Sequence, residues 1–109
     1  MTVAGLAEKL GLIAVSLPDP DREISGAYIG DLLSWVMGRA KADNVWITIM
    51  SNINVVAVAS LADVSCVLLA EGVTLDQEVL SAAKEKGINV LCSADTSFAL
   101  ALKLQGIVS

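Results

Sequence analysis

The stretch NVWITIMSNINVVAVASLADVSCVLLAEG, residues 44–72, decides the fold of this chain. It begins with an apolar, strand-like run over 44–50, continues into a helix-like segment over 52–63, and ends in a second apolar run over 65–71. Both runs are almost continuous in apolar residues, which is typical of parallel strands that are covered on both faces. The stretch therefore predicts a strand, a helix and a second, parallel strand.

The same alternation continues to the end of the chain. A helix over 75–87, a third buried strand over 88–93 and a final helix over 94–106 complete a βαβαβα half. We therefore expect an α/β fold: a single compact domain, residues 1–109, with a mainly parallel sheet flanked by helices.

The N-terminal part carries three further segments. An amphipathic helix over 1–11 is followed by a short apolar run over 12–17 and, after the PDPD turn at 18–21, by a strand over 22–30 with a bend at Gly26. We expect these segments to add one or two strands to the same sheet or to form a small flanking ribbon.

Charge and composition exclude several classes of partner. Of the 109 residues, 12 are acidic and seven are basic, so the formal net charge is −5. Because the basic residues are scattered, we expect neither nucleic acid nor a membrane surface as a partner. The start of the chain lacks the basic residues and unbroken apolar core of a secretory signal, and polar residues interrupt the apolar run over 44–62. These features predict a cytoplasmic protein.

Residues suited to catalysis or metal binding are scarce. The chain contains no histidine, the commonest general base. Neither Cys66 nor Cys92 has a basic neighbour or a second ligand at metal-binding spacing, so we expect both to be free and buried. Glycine-rich phosphate-binding motifs are absent. We therefore expect no enzyme activity, no cofactor and no metal.

The aspartates leave two alternatives open. Asp19, Asp21 and Asp31 offer the oxygen ligands that Mg²⁺ prefers, but the proline-punctuated turn explains the first two without a metal. A small enzyme that uses Asp31 or Asp95 is the weakest functional alternative.

A ligand site is predicted where the parallel strands end, because open α/β sheets bind ligands outside the carboxyl ends of their strands. The residues that follow the predicted strands are rich in hydroxyl and amide groups, which either hold a small anion or cap the next helix. Arg22, one of two arginines, either pairs with a nearby carboxylate or binds an anionic group. The candidate ligand-binding residues are Arg22, Asp31, Thr48, Ser51, Asn52, Asn54, Glu71, Ser93, Asp95 and Thr96.

A short helix is predicted between Asp31 as its N-cap and Gly38 as its end, and its apolar residues point in every direction. We expect it to bury one side in the core of the chain and another in a symmetric homodimer. The alternative is that these residues are all core, with Trp35 covering an edge. The candidate interface residues are Leu32, Leu33, Trp35, Val36 and Met37.

The segment DREISG, residues 21–26, followed by YIGDLLSWVMGRA, residues 28–40, resembles the DRTGG-domain family. The Asp-Arg pair and Gly26 match the family's motif, and Glu23-Ile24-Ser25 stands where its name has Thr-Gly. The resemblance covers essentially the whole chain. It implies the α/β fold found at the N-terminus of HPr kinase and within some phosphotransacetylases, whose chemistry takes place in other domains. Stand-alone members are often encoded beside iron-only hydrogenase genes, which implies a regulatory role.

Together these features predict a non-catalytic regulatory module, a homodimer that senses a small anionic metabolite or nucleotide at the carboxyl edge of its sheet. The resemblance links it to hydrogenase or to carbon and energy metabolism. In this interpretation Asn52, Ser93 and Thr96 line a concavity. The alternative is a protein-interaction adaptor without a small ligand, in which this edge is filled and an apolar patch that binds a protein partner lies elsewhere.

Overall fold

The computed structural model describes residues 1–108, and within them the chain forms five helices and five strands. The helices are α1 (Val3–Leu10), α2 (Leu33–Arg39), α3 (Asn54–Ala62), α4 (Gln77–Glu85) and α5 (Ser97–Leu104). The strands are β1 (Ile13–Ser16), β2 (Ala27–Ile29), β3 (Val45–Thr48), β4 (Cys66–Leu69) and β5 (Val90–Cys92).

All five strands belong to one sheet in the order β1-β5-β4-β3-β2. Strands β2, β3, β4 and β5 are parallel to one another, and β1 pairs with β5 in the antiparallel direction. The predicted α/β fold with a mainly parallel sheet is therefore confirmed. The N-terminal part adds two strands to this sheet, one at each edge.

The two edge strands differ in regularity. The register of β1 against β5 shifts between Ala14 and Ser16. Strand β2 pairs with β3 without a shift, from Ala27 opposite Val45 to Ile29 opposite Ile47. Strand β2 is thus a short but regular edge strand.

Each face of the sheet has its own core, because side chains alternate between the faces along every strand. Trp46 of β3 points to the face covered by α2, α3 and α4, where it packs with Val36, Val55 and Val79. The opposite face is covered by α1 and α5, and its core residues are Val3, Leu6, Val45, Ile47, Leu68, Leu91, Leu100 and Leu104. This arrangement explains why the central strands are apolar at almost every position.

Side chains cap three helices as their residue types favour. Thr2 accepts a hydrogen bond from the N–H of Gly5, Asp76 from Val79, and Thr96 from Ala99. Helix α2 departs from the prediction at both ends. Leu32 is its N-cap without a side-chain hydrogen bond, and it continues past Gly38 to Arg39. The predictions for Asp31 as N-cap and for Gly38 as helix end are therefore wrong.

Candidate functional site

At the carboxyl ends of β2 and β3, Asp31 and Thr48 form a closed hydrogen-bonded unit. Thr48 is buried and its Oγ1 donates to Asp31 Oδ1 over 2.8 Å, while the N–H of Ile49 donates to the same oxygen over 3.0 Å. Asp31 does not cap α2, because its carboxylate binds the last residue of β3 and the residue that follows it. These contacts join the β2–α2 connection to the end of β3.

At the ends of β4 and β5 the loops bond to each other. The N–H groups of Glu71 and Gly72 donate to the carbonyls of Asp95 and Ser93 over 2.8 and 2.9 Å. The N–H of Asp95 donates to Ser93 Oγ, and the Asp95 carboxylate pairs with Lys103. The backbone N–H groups of Glu71, Gly72 and Asp95 are therefore used within the chain.

The remaining candidates at this edge also have local roles. Asn52 Oδ1 accepts from the N–H of Asn54 over 2.9 Å at the start of α3, and Thr96 caps α5. Ser51 lies half-buried in the loop after β3. The structure thus brings the predicted polar residues other than Arg22 to one edge of the sheet, and among them Thr96 has the helix-capping role that was the alternative to anion binding.

Arg22 lies at the opposite, amino edge of the parallel strands. Its Nη2 donates to Asp43 Oδ1 over 2.8 Å, to Asp63 Oδ1 over 2.9 Å and to the Asp63 carbonyl over 2.7 Å. Burial alone would lower the pKa of Arg22, but the hydrogen bonds and charges of the two carboxylates raise it above its ordinary value. Of the two roles predicted for Arg22, the structure shows the ion pair with nearby carboxylates. These contacts join the segment before β2 to the turns before β3 and β4.

We expect Arg22→Gln to lower the free energy of unfolding by about 1–2 kcal/mol, because it removes a charged, forked donor from two carboxylates. Chemical denaturation of both proteins measures the loss. The matched control is Lys9→Gln, since Lys9 is exposed and forms no ion pair among residues 1–108, so its change should stay within about 0.5 kcal/mol. Equal losses in the two variants would contradict the role assigned to Arg22.

The amino edge also carries buried polar residues that sequence reasoning missed. Asn44, Ser65 and Asn89 each stand directly before one of the central parallel strands, and all three are buried. Ser65 Oγ donates to the Asn44 carbonyl, and Asn89 Nδ2 donates to the Ser65 carbonyl over 3.0 Å. The available signal was a polar residue repeated at the start of each apolar run.

Neither cysteine is suited to act as a nucleophile. Burial raises the pKa of the Cys66 thiol to about 12, and burial also raises the pKa of Cys92, so both thiols are protonated at neutral pH. Within residues 1–108 no three side chains of histidine, cysteine, aspartate or glutamate come together as a metal ion would require. In the same residues no helix is both long enough and apolar enough to cross a membrane.

Two cavities flank strand β2. The first, of about 310 Å³, is mainly apolar and lies between Ala27 and Ile29 of β2 and Ala101 and Leu104 of α5. The second, of about 470 Å³, lies between β2 and the end of α2 and contains Arg39 and Lys41. Asn52, Ser93 and Thr96 line neither of these cavities, so the concavity expected at the carboxyl edge is not among them.

Helix α2 buries one side and exposes the other. Val36 is completely buried and the partly buried Leu33 packs against the same core, which agrees with the alternative that these two residues are core. Leu32, Trp35 and Met37 are 58%, 52% and 44% exposed. Helix α2 carries apolar residues on every side, but it contacts the core only through the side that faces the sheet.

The exposed residues of α2 lie on two flanks. Trp35 and Arg39 are one turn apart, and the Arg39 guanidinium lies 3.7 Å from the centre of the Trp35 ring. Since Arg39 shares a cavity with Ala27 and Tyr28, this flank faces β2. Met37 lies on the other flank. We call the open edge of β2, together with Ile29, Leu32 and Trp35, the β2 surface.

The edge of β2 offers unpaired backbone groups. Val45 N–H donates to the Gly26 carbonyl and Gly30 N–H donates to the Ile47 carbonyl. Because alternate residues of a strand bond to opposite sides, the N–H and C=O groups of Ala27 and Ile29 point away from the sheet. The β2 surface therefore combines a ready hydrogen-bonding edge with apolar side chains on both faces.

The fold is thus a small α/β domain with two cavities beside the edge strand β2. The polar residues at the carboxyl ends of its strands form hydrogen bonds within the chain. The model of the DRTGG domain family matches residues 22–107, so the chain belongs to the DRTGG domain family. No curated protein matches this chain.

Among solved structures, one similar fold is the crystal structure of the CBS and DRTGG domains of the regulatory region of Clostridium perfringens pyrophosphatase, complexed with the activator diadenosine tetraphosphate. The TM-score is 0.69 and the identity 16%, over 93% of this chain and 44% of that one. This chain thus spans less than half of that regulatory region, and the likeness concerns the fold.

Proposed function

We propose that this chain is a non-catalytic regulatory module that acts as a homodimer through the β2 surface and responds to a small anionic metabolite or nucleotide. Membership of the DRTGG family supports a regulatory role, because the similar fold belongs to a regulatory region that was crystallised with a nucleotide activator. A setting in hydrogenase or in carbon and energy metabolism rests on the family resemblance alone.

The observation that carries the homodimer is the composition of the β2 surface. Ile29, Leu32 and Trp35 are each about half exposed beside an edge strand with outward N–H and C=O groups. Proteins commonly protect such edges because they pair with further strands. Two copies related by a twofold axis would pair β2 with β2 and bring the tryptophans of both copies to one interface.

The absence of catalytic machinery supports the non-catalytic part of the proposal. The chain has no histidine, and its two thiols are buried and protonated. The polar loops at the carboxyl edge bond to one another, so the aspartates there have positioning roles.

We expect Trp35→Glu to raise the dimer dissociation constant about 30-fold or more, because it places a charge where a central aromatic anchor would be desolvated. Light scattering coupled to size exclusion, over a series of protein concentrations, measures the change. The matched control is Ile13→Glu, since Ile13 is 66% exposed on β1, at the opposite edge of the sheet from β2. The control should keep the mass of the unmodified protein.

Three results separate the outcomes of this experiment. A dimer that only Trp35→Glu dissociates supports the proposal. A dimer that Trp35→Glu leaves intact excludes the β2 surface as the interface, and a monomer at every concentration excludes the homodimer.

A second candidate, an adaptor that binds another protein, is favoured by one observation. The loops at the carboxyl edge are bonded to one another, and the apolar surface lies at β2, as that interpretation requires. In this case the β2 surface would receive a strand of a different protein. A monomeric chain whose Trp35→Glu variant loses a defined protein partner in a binding assay would support the adaptor.

A further inference from the structure

The cavity between β2 and the end of α2 contains an unusual concentration of positive charge for this chain. Arg39 and Lys41 both line it, although the whole chain has seven basic residues against 12 acidic ones. None of the described residues that line this cavity is acidic; the others are Ser25, Gly26, Ala27, Tyr28, Ala42 and Asn44. A local excess of positive charge in an acidic chain indicates an anionic ligand.

The two cations are free to bind such a ligand. The ion pairs within residues 1–108 are formed by the N-terminus, Arg22 and Lys103, so Arg39 and Lys41 have no carboxylate within 4.0 Å in that part of the chain. This cavity therefore presents two cations whose charge no carboxylate of residues 1–108 compensates by an ion pair.

Arg39 is already oriented. Its guanidinium stacks on the Trp35 ring, 3.7 Å from the ring centre, and a stacked guanidinium keeps its N–H groups at the edge for donation. The planar fork of arginine matches the oxygens of a phosphoryl group. Less side-chain entropy is lost on binding because the ring holds the side chain in place.

The wall opposite the cations is fixed as well. Asn44 Oδ1 accepts from the N–H of Lys41 over 3.0 Å, and Asn44 Nδ2 donates to the Ser25 carbonyl over 2.7 Å. The backbone of the loop that carries Lys41 is thereby tied to the segment that leads into β2. The side of the cavity that carries Lys41 is therefore held to the segment before β2 by hydrogen bonds of the buried Asn44 side chain.

The size of the cavity selects among anions. A volume of about 470 Å³ falls in the range of small-molecule sites and exceeds what a single phosphate fills. The Tyr28 ring adds an apolar wall beside the cations. We propose that this cavity binds the phosphoryl groups of a nucleotide through Arg39 and Lys41. This inference rests on the proposed function: because the cavity borders the β2 surface, a nucleotide bound there would be the ligand to which the regulatory module responds.

The test is isothermal titration calorimetry of the full chain with ADP, inorganic pyrophosphate and adenosine. We expect ADP to bind, adenosine to show no binding, and the double variant Arg39→Gln/Lys41→Gln to raise the ADP dissociation constant about tenfold or more. The matched control Lys84→Gln/Lys86→Gln removes the same charge from exposed residues at the end of α4 and should leave the constant within about twofold.

Each result is decisive for the inference. Absence of ADP binding up to about 5 mM, or equal affinity in the double variant and unmodified chain, overturns it. If pyrophosphate binds as tightly as ADP, the cavity recognises phosphoryl groups alone, and the proposal that its ligand is a nucleotide is overturned. The oligomeric state is measured separately. ADP binding to a monomer would therefore support this site and contradict the homodimer. A dimer that does not bind ADP would support the homodimer and contradict this site.

Discussion

Replacing Trp46 with alanine is expected to lower the free energy of unfolding by about 3–5 kcal/mol, a large part of the total stability of a small domain. Trp46 is completely buried and is the largest such side chain in residues 1–108. Its Nε1 also donates to the Gly30 carbonyl over 2.9 Å. The substitution thus opens a cavity under α2 and removes a contact that joins β3 to the end of β2.

Thermal unfolding followed by circular dichroism measures this effect, which corresponds to a fall of about 15–25 °C in the midpoint. The control is Phe98→Ala, which truncates another aromatic side chain to alanine at an exposed position and should cost less than about 1 kcal/mol. Trp46→Phe should fall between the two, since it keeps most of the volume and loses the hydrogen bond. A fall of less than about 5 °C for Trp46→Ala would contradict the packing described for this face.

Asn89→Ala is expected to be the second most damaging substitution, with a loss of about 3–4 kcal/mol. The buried amide of Asn89 accepts from the N–H of Asp19 over 3.0 Å and donates to the carbonyls of Asp19 and Ser65 over 2.8 and 3.0 Å. Alanine leaves three backbone groups without these partners. The loop that contains the PDPD turn would then lose its attachment to the start of β5.

The comparison for this prediction is Asn52→Ala, which removes an asparagine that is exposed and accepts one local hydrogen bond. Chemical denaturation should give a loss of about 1 kcal/mol or less for Asn52→Ala. Hydrogen exchange should show faster exchange of the amides around Asp19 in Asn89→Ala. If both variants lose the same free energy, the three hydrogen bonds of Asn89 do not carry the stability assigned to them.

The parallel half of the fold was predictable because its physical signal is strong. Continuous apolar runs at 44–50, 65–71 and 88–93 can be buried on both sides only in a parallel sheet covered by helices. Asp76 and Thr96 mark helix starts by a local mechanism, so their roles followed from residue type and position. Both signals can be recognised from residues that are close together in the sequence.

The position of the candidate site was harder to predict, because it depends on contacts between distant segments. Asp31 looks like an N-cap from its neighbours, yet its carboxylate binds Thr48 and Ile49, 17 and 18 residues away. Arg22 pairs with Asp43 and Asp63 for the same reason. Polar residues at strand ends predict that hydrogen bonds form there. The partner in each bond depends on the tertiary structure.

The order of the strands could not be derived either. The segments of β1 and β2 have similar lengths and are both partly exposed, so composition did not indicate which edge each would occupy. With β2 beside β3, the flank of α2 that carries Trp35 and Arg39 reaches an open edge. The cavity with Arg39 and Lys41 exists only because of this placement.

The register shift in β1 bears on whether assembly stops or continues. A sheet with two regular open edges adds copies at both ends and grows into a fibre. In this chain the shift between Ala14 and Ser16 distorts one outer ladder, while β2 keeps a regular one. Growth through β2 alone ends when two copies have met, since each has then used the one regular edge found within residues 1–108. In the proposed homodimer, the register shift at one edge of the sheet would thereby limit polymerisation through the other edge.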